Sequence, residues 1–425
     1  IKTVEVGKEI VKTVEGEKEV VTTVEVEKEV VKEVMVTPTA VPTTRKGAWV
    51  DQIVFTEQNS AEAAVTQLLA GELDVYAYSV SQPDLFTTVK ENADLAYSNA
   101  YGSYTELSFN PAEFTDGRLN PFTNPKIREA MNWLIDRNYL AQEIYGGLAN
   151  TKLFCLNSAF PDYANFIDKA RELEAKYAYN PEKANETITA EMEAMGATKA
   201  NDVWTFNGEP ITIIILIRTE DERRQIGDYV GTQLESIGFL ADRQYKTRSE
   251  ASPIWVQGNP TDGLFHIYTG GWITTAVSRD DGSNFSFFYT PRDYPIPLWL
   301  SYTPSEEFDA VALKLRNNDF TTLEERAALF AQAMELSLQD SVRLWLIDQL
   351  SFSPMRSNVS VAFDLAGGIS GSRLYPLTAR FVGQEGGTIK IAQPGILVDP
   401  WNPVAGSNWI YDTMPSRATS EAGVM

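Results

Sequence analysis

Cysteine and histidine are nearly absent from this sequence of 425 residues. Cys155 is the only cysteine, which excludes an internal disulfide framework and a cysteine-based zinc knuckle. His266 is the only histidine, so a histidine-rich metal site is excluded and any serine or cysteine hydrolase would depend on that one residue. We therefore predict no metal site and no cofactor.

Positive charge and long apolar runs are also scarce. Lys and Arg number 36 against 58 for Asp and Glu, a net charge of −22, with no basic block. Neutralising phosphates takes clustered Lys and Arg, so we expect no nucleic-acid partner. No run of about 18 apolar residues is present, which excludes a membrane span. The chain begins at Ile1 without a visible signal peptide, and we interpret it as a processed product that has lost its targeting segment.

Residues 1–36 form a low-complexity repeat with a period of ten residues. The period is marked by Val4, Val14, Val24 and Val34. Valine disfavours an isolated helix, and a Pro/Thr-rich hinge at 37–44 closes the repeat. Two interpretations stay open: a spacer stalk that holds a domain away from a surface, and a disordered tail. We do not expect the repeat to pack on the main body.

From about residue 48, predicted strands alternate with predicted helices. The strands are predicted at 52–55, from 73, and at 104–109, 211–217, 264–269 and 342–346. The helices are predicted at 61–69, 125–134, 181–195, 221–237 and 320–338. Gly71, Gly196 and Gly238 are predicted to end three of these helices. This alternation predicts an α/β architecture with more than one sheet.

Five segments occur in the order typical of one protein family. They are 61–75 (AEAAVTQLLAGELDV), 107–110 (LSFN), 124–137 (NPKIREAMNWLIDR), 233–239 (QLESIGF) and Gly270-Gly271-Trp272. Together, residues 48–385 resemble the second half of the family 5 extracellular solute-binding proteins of bacterial ABC transporters, the oligopeptide-, dipeptide- and nickel-binding group. The resemblance implies a bilobal, periplasmic-binding-protein-like α/β fold (type II, cluster C) of mixed sheets and helices, and no enzymatic activity.

The ends of the chain depart from the family pattern. Segments resembling the family's opening strand come last here, at 386–392 and 399–403, so we expect an incomplete first lobe. Either the chain is circularly permuted and truncated after Met425, which we favour, or the terminal segment supplies the first strand of a reduced lobe. The sequence predicts five regions. They are a repeat with its hinge (1–44), a first-lobe segment (45–115), a second lobe (116–355), a return to the first lobe (356–385) and a terminal strand segment (386–425).

The resemblance implies that an oligopeptide or similar small polar solute binds between the lobes. Trp272 is the strongest candidate contact, because family members carry a cleft tryptophan there. Gly270 and Gly271 are expected to end the strand that carries Tyr268, a further candidate, and to lift Trp272 to the rim of the sheet. This sequence has Thr275 where the family carries its amine-binding aspartate. Either the anion is shifted to Asp280 in the following loop, or the family's usual peptide binding is lost.

The other candidate ligand contacts each have a structural alternative. Ser407, Asn408 and Trp409 match a family stretch that lines the cleft, or the tryptophan plugs the lobe. Tyr104 and Asn110 bracket a strand at the lobe border, and Asn110 before Pro111 also suits a turn. Arg248 is placed to meet a carboxylate, or is simply solvated. We expect His266 to be a hydrogen-bonded structural residue.

Three functional hypotheses follow. The leading one is a monomeric solute receptor, tethered by a lost anchor outside the cytoplasmic membrane or in the periplasm, that delivers its ligand to an ABC permease. The alternative is a structural or interaction protein of the cell envelope that has lost ligand binding. A carboxylate-based hydrolase is the third, although no spacing among the 58 acids singles out a catalytic pair.

Overall fold

The computed structural model describes residues 7–15, 18–26, 45–274, 278, 280–396 and 410–419. The chain divides into two compact units, Ile1–Thr44 and Arg45–Met425. In the first unit, strand β1 (Gly7–Glu15) pairs antiparallel with β2 (Lys18–Val26). Gly7 lies opposite Val26 and Glu15 opposite Lys18, so the hairpin joins two successive ten-residue repeats. The β-branched content that disfavours a helix favours this strand pairing.

The second unit contains the remaining described elements. Its strands are β3 (Gln52–Glu57), β4 (Val75–Tyr76), β5 (Leu95–Ala100), β6 (Ser103–Phe109), β7 (Ala149–Thr151), β8 (Thr198–Ala200), β9 (Val203–Phe206), β10 (Glu209–Pro210), β11 (Thr212–Arg218), β12 (Leu240–Lys246), β13 (Ile267–Ile273), β14 (Arg343–Gln349), β15 (Ser351–Arg356), β16 (Val359–Ser360), β17 (Arg380–Phe381) and β18 (Thr388–Gln393). Its helices are α1 (Ala61–Ala70), α2 (Pro83–Glu91), α3 (Pro125–Leu134), α4 (Arg137–Tyr139), α5 (Pro161–Asn165), α6 (Ile167–Lys176), α7 (Pro181–Ala194), α8 (Arg223–Ser236), α9 (Arg248–Trp255), α10 (Ser283–Tyr289), α11 (Pro297–Leu300), α12 (Glu306–Asn317), α13 (Leu323–Asp340), α14 (Gly368–Gly371), α15 (Tyr375–Thr378) and α16 (Ile410–Thr419).

The larger sheet has the strand order β12-β11-β13-β6-β14-β7 among the described residues. Strand β11 runs parallel to β12 and β13, whereas β6 is antiparallel to β13 and β14. The successive residues Ile215, Leu216 and Ile217 are all buried, which confirms that this apolar strand is covered on both faces. We call this sheet and the helices packed on it the large lobe.

The smaller sheet has the strand order β3-β18-β4-β15-β5 among the described residues. Strand β18 lies inside it, parallel to both β3 and β4. The segment that resembles the family's opening strand thus enters a sheet formed largely by residues far earlier in the chain. We call this sheet, with α1, α2, α14 and α16, the small lobe; the domain boundaries given above stay a prediction.

Two short connections carry the described chain between the lobes, Tyr101-Gly102 between β5 and β6 and Leu350 between β14 and β15. The Gly102 N–H donates to the carbonyl of Ala366 over 2.8 Å, and its carbonyl accepts from the Thr274 N–H over 2.9 Å. A Cβ atom on Gly102 would lie 2.2 Å from the Thr274 oxygen and 2.5 Å from the Ala366 oxygen. Only glycine fits between these two backbone segments.

Most predicted elements are confirmed, with shifts of a few residues at their ends. Gly71 has a φ of 72° and caps α1 in the left-handed conformation, as predicted. The prediction that Gly270 and Gly271 end their strand is wrong, because β13 runs through both to Ile273. Strand β6 pairs along this whole length, with Trp272 opposite Tyr104, and so continues to satisfy the backbone of β13.

Candidate functional site

The edge of the large sheet that faces the lobe connections is formed by the carboxyl ends of β11, β13 and β14. Ile273 at the end of β13 lies opposite Ser103, the first residue after the connection at Gly102. In α/β proteins, ligands bind at the carboxyl ends of the strands, where the loops that follow them converge. The junction of the lobes is therefore the place where a ligand site is expected.

The loop after β11 brings an ion pair to this junction. Arg223 donates through Nε to Oδ1 of Asp221 over 2.7 Å and through Nη2 to Oδ2 over 2.6 Å. Burial opposes ionisation of Asp221, but the charge of Arg223 and its hydrogen bonds outweigh burial and lower the pKa of the Asp221 carboxyl. The bidentate geometry holds Arg223 in one orientation against the sheet.

Glu222 connects this loop to the small lobe. The Ser81 hydroxyl donates to Oε2 of Glu222 over 3.0 Å. Burial, followed by the neighbouring charge of Asp221, raises the pKa of Glu222 to about 7. Sequence reasoning missed Glu222, because one more carboxylate in an acidic loop carries no distinguishing signal.

Three hydroxyl groups near the junction are buried without a hydrogen-bond partner among the described residues: Ser79 Oγ, Ser103 Oγ and Thr105 Oγ1. Ser103 and Thr105 lie on β6. Thr105 pairs with Gly271 of β13, and the side chain of Arg223 lies against Gly271. Buried polar groups are nearly always paired, so these three hydroxyls have unused hydrogen-bonding capacity at the lobe junction.

Trp272 is the strongest candidate from the sequence. It is half-buried, and it lies on the face of β13 opposite to the one that carries Gly271. Its indole Nε1 donates to Oε1 of Glu106 over 2.8 Å. The rings of Phe288 and Tyr294 meet the indole edge-on, with centroids 5.2 and 5.7 Å away. The ring is neither sealed in the core nor lifted free at the rim, and its role as a ligand contact stays a prediction.

The two candidate tyrosines are buried. Tyr268 stacks on Trp255 with centroids 4.3 Å apart, and its hydroxyl accepts from Nη1 of Arg218 over 3.1 Å. Tyr104 packs against Trp345 with centroids 5.6 Å apart, and burial raises the pKa of its phenol well above the usual range. Both side chains have structural contacts that account for their burial.

Asn110 forms the turn that the sequence offered as its alternative role. Its Oδ1 accepts from the Ala112 N–H over 3.1 Å, and its Nδ2 donates to the carbonyls of Pro260 and Phe265. His266 is also structural, as predicted: Nδ1 accepts from the Ile214 N–H over 3.0 Å, and burial lowers the pKa of the imidazole to about 3.

The charged candidates lie in other contacts. Asp280 forms an ion pair with Nη2 of Arg326 over 2.8 Å, and the same nitrogen contacts the buried carboxylate of Asp162. Arg248 begins α9, where its backbone N–H donates to Oε1 of Glu220 over 2.6 Å. Ser407, Asn408, Trp409 and Thr275 lie outside the described residues.

No cluster of three or more His, Cys, Asp or Glu side chains suited to a metal ion occurs within the described ranges. Over the same ranges, no helix combines the length and hydrophobicity needed to cross a bilayer. An open depression of about 530 Å³, with Asn138, Asn150 and Tyr163 among its lining residues, lies at the β7 edge of the large sheet and includes none of the candidate residues.

Comparison with known families decides the assignment. The pattern described as "Bacterial extracellular solute-binding proteins, family 5 Middle" matches residues 28–294, more than half of the sequence. The chain belongs to family 5 of the bacterial solute-binding proteins. The fold is accordingly the type II periplasmic-binding-protein fold.

Relatives within the family are distant. A probable ABC transporter-binding protein from Deinococcus radiodurans is 26% identical over 333 residues, covering 69% of this chain and 54% of that protein. The oligopeptide-binding protein AppA from Bacillus subtilis, in complex with a nonapeptide, has a TM-score of 0.57 at 17% identity and covers 76% of this chain and 59% of its own. NikZ from Campylobacter jejuni, in complex with Ni(L-His), has a TM-score of 0.57 at 14% identity, with coverages of 76% and 60%. This chain spans about half the length of the Deinococcus protein.

Proposed function

We propose that this family 5 protein is the solute-binding receptor of an ABC importer. It captures an oligopeptide or similar small polar solute where its lobes meet, transforms nothing and delivers the ligand to a permease. The proposal is based on how the two lobes meet. The buried apolar clusters of the two lobes are separate, and a hydrogen bond between Ser81 and Glu222 crosses from one lobe to the other.

Lobes that share no apolar core can hinge at the short connections between them. Separating them exposes polar groups to water instead of breaking a continuous core, so the free-energy cost of opening is small. A solute that contacts both lobes stabilises the closed form by its greater affinity for that form. Membership of family 5 supports this receptor over a structural protein of the cell envelope.

The junction favours a ligand with hydrogen-bonding groups. The unpaired hydroxyls of Ser79, Ser103 and Thr105 supply donors and acceptors without net charge. Trp272 lies on the opposite face of β13 from Thr105, and its accessible part would supply apolar contact to the portion of the solute that reaches that face. The two related structures hold a nonapeptide and a nickel–histidine complex, so the fold accommodates chemically unlike ligands, and the junction of this chain is what selects among them.

We place the receptor on the extracellular face of the cytoplasmic membrane or in the periplasm, as a monomer. The repeat unit, residues 1–44, would act as its tether. A tether of this kind raises the effective concentration of the receptor at the permease.

A ligand screen on the full chain tests the proposal. Thermal-shift measurements, followed by calorimetry, use alanine di- to pentapeptides, a neutral oligosaccharide and nickel with L-histidine. We expect at least one polar solute to raise the melting temperature. Thr105→Val, which removes one unpaired hydroxyl, should then weaken binding about tenfold, a loss of about 1.4 kcal/mol. Thr87→Val, on the exposed side of α2, is the matched control. Absence of any shift, or equal affinities of the two variants, would contradict the proposal.

A further inference from the structure

The two glycines before Trp272 each leave room for a charged side chain. A Cβ atom on Gly270 would lie 2.8 Å from both Cγ and Oε1 of Glu106, its partner on β6. A Cβ atom on Gly271, which faces the other side of the sheet, would lie 3.1 Å from Nη1 of Arg223. Glycine inside a strand marks a close approach of other groups, and here the groups are ionised side chains.

Glu106 is 1% exposed, and one of its oxygens receives three donors. Oε1 accepts from the Trp272 indole over 2.8 Å, from the Ser108 hydroxyl over 3.0 Å and from Nη1 of Arg343. A buried carboxylate is costly unless it is paired and hydrogen-bonded, and this network provides both at Oε1, whereas Oε2 is buried without a hydrogen-bond partner among the described residues.

Arg343 completes the network from β14. It is 1% exposed, and its Nε donates to the carbonyl of Phe288 over 2.8 Å. Its guanidinium carbon lies 4.2 Å from the ring centroid of Trp299 and 5.3 Å from that of Trp272. The cation is therefore held by Glu106, by a backbone carbonyl and by aromatic faces, the Trp272 indole among them.

We propose that Glu106 is the positioning residue for Trp272: it holds the indole in one orientation through Nε1, while Arg343 compensates the charge of the carboxylate. The proposal rests on the proposed function, in which Trp272 contacts the solute. Without this acceptor, only the ring contacts with Phe288 and Tyr294 would restrain the half-buried indole, and its Nε1 would have no fixed partner. Holding it in place before the solute arrives removes the ordering cost from binding.

The test replaces the buried pair by apolar side chains. In the double variant Glu106→Met with Arg343→Met, no buried charge is left unpaired, so the fold is retained while Trp272 loses its acceptor. Gly270→Ala is the second variant, because its Cβ displaces Glu106 without altering it. Ser108→Ala is the control, since it deletes another donor to the same oxygen but leaves the indole contact in place.

Two readouts are measured on the full chain. Fluorine NMR of protein labelled with fluorotryptophan reports the indole of Trp272, with its resonance assigned by Trp272→Phe. Calorimetry with an alanine tetrapeptide reports affinity. We expect the Trp272 resonance to broaden or split in both test variants, with affinity about two- to tenfold weaker, and to stay a single line in the control.

A single unshifted Trp272 line in both test variants would overturn the proposal. So would a changed resonance with unchanged affinity for a peptide that the unmodified chain binds. Failure of the proposed function looks different: the unmodified chain then binds no solute of the screen, while the fluorine resonance still shows whether Glu106 holds the indole.

Discussion

Ser81 and Glu222 form a hydrogen bond that joins the two lobes, from the Ser81 hydroxyl to Oε2 of Glu222 over 3.0 Å. Ser81 lies shortly before α2 in the small lobe, and Glu222 is the residue immediately before α8 in the large lobe. The bond spans 141 residues of sequence, and separating the lobes must break it. The Glu222 side chain is half-buried while the lobes are together, and separating the lobes removes its contact with Ser81.

This burial predicts that lobe closure depends on pH. With the lobes joined, the pKa of Glu222 is raised to about 7, whereas exposure on opening returns it toward its ordinary value of 4.5. A raised pKa means that the joined state binds the proton more tightly. Protonation therefore favours closure, fully below about pH 4.5, and this contribution is lost as the pH rises through about 7.

Small-angle scattering of the unliganded chain at about pH 5 and about pH 8 measures this effect. We expect a larger radius of gyration at the higher pH, and a pH-independent radius in Glu222→Gln. Glu182→Gln, which changes an exposed carboxylate on α7, should behave like the unmodified chain. A pH response that persists in Glu222→Gln would show that another group controls closure.

Gly102 should be the least replaceable residue of the lobe connections. In Gly102→Ala the new methyl group meets the carbonyl oxygens of Thr274 and Ala366 at 2.2 and 2.5 Å, and both are backbone atoms. We expect a loss of about 3 kcal/mol in the free energy of unfolding, measured by urea denaturation. Gly282→Ala is the matched control: its nearest contact is the Asp280 carboxylate at 3.1 Å, and it should cost about 1 kcal/mol or less. Equal losses of stability in the two variants would mean that the backbone around Gly102 shifts to accommodate the methyl group.

Asp162 and Asp280 both contact Arg326, but we expect them to contribute unequally to the free energy of unfolding. Asp162 is 1% exposed, contacts Nη2 of Arg326 through both oxygens and accepts the Asp281 N–H. Its removal leaves a largely buried cation without its main partner, which costs about 3–5 kcal/mol. Asp280 is exposed, so Asp280→Ala should cost about 0–1 kcal/mol. Thermal or urea unfolding of Asp162→Ala and Asp280→Ala measures both, and the reverse ranking would contradict this account.

Arg417 should hold α16 on the small lobe. Its Nη1 donates to the carbonyls of Ser370, Gly371 and Ser372 at 3.0, 2.8 and 3.2 Å, at the carboxyl end of α14. Loss of these charge-assisted bonds in Arg417→Ala should lower the hydrogen-exchange protection of residues 410–419 at least about tenfold. Arg373→Ala removes an equal charge from an exposed neighbour and should leave protection unchanged. Equal protection in both variants would show that apolar packing at Met414 is sufficient.

Local patterns predicted much of the fold correctly. The helices predicted at 125–134 and 181–195 are observed as α3 and α7, and each begins with proline after an asparagine N-cap, Asn124 or Asn180, whose side chain accepts a backbone N–H of the first turn. Such signals work because a cap and its helix lie within four residues of each other. The order of five short segments likewise indicated the family, which the family comparison confirms.

The candidate site was less predictable. The sequence singled out Trp272 but not Glu106, which lies 166 residues away and supplies its hydrogen bond. It offered Asp280 as an anion for a ligand, but the pairing of Asp280 with Arg326 arises only when α13 packs near the loop. It interpreted Gly270 and Gly271 as the end of a strand, because the side chains that need their space belong to β6 and α8.

By itself, then, the sequence determined the family, the alternation of strands and helices, and the residues that begin and end the helices, since each depends on neighbours along the chain or on the order of short motifs. Only the tertiary structure decided which charges neutralise one another, why two glycines precede Trp272, and where a strand from residues 388–393 is inserted. These depend on atoms brought together from distant positions, and no local pattern records which distant residue will fill a given space.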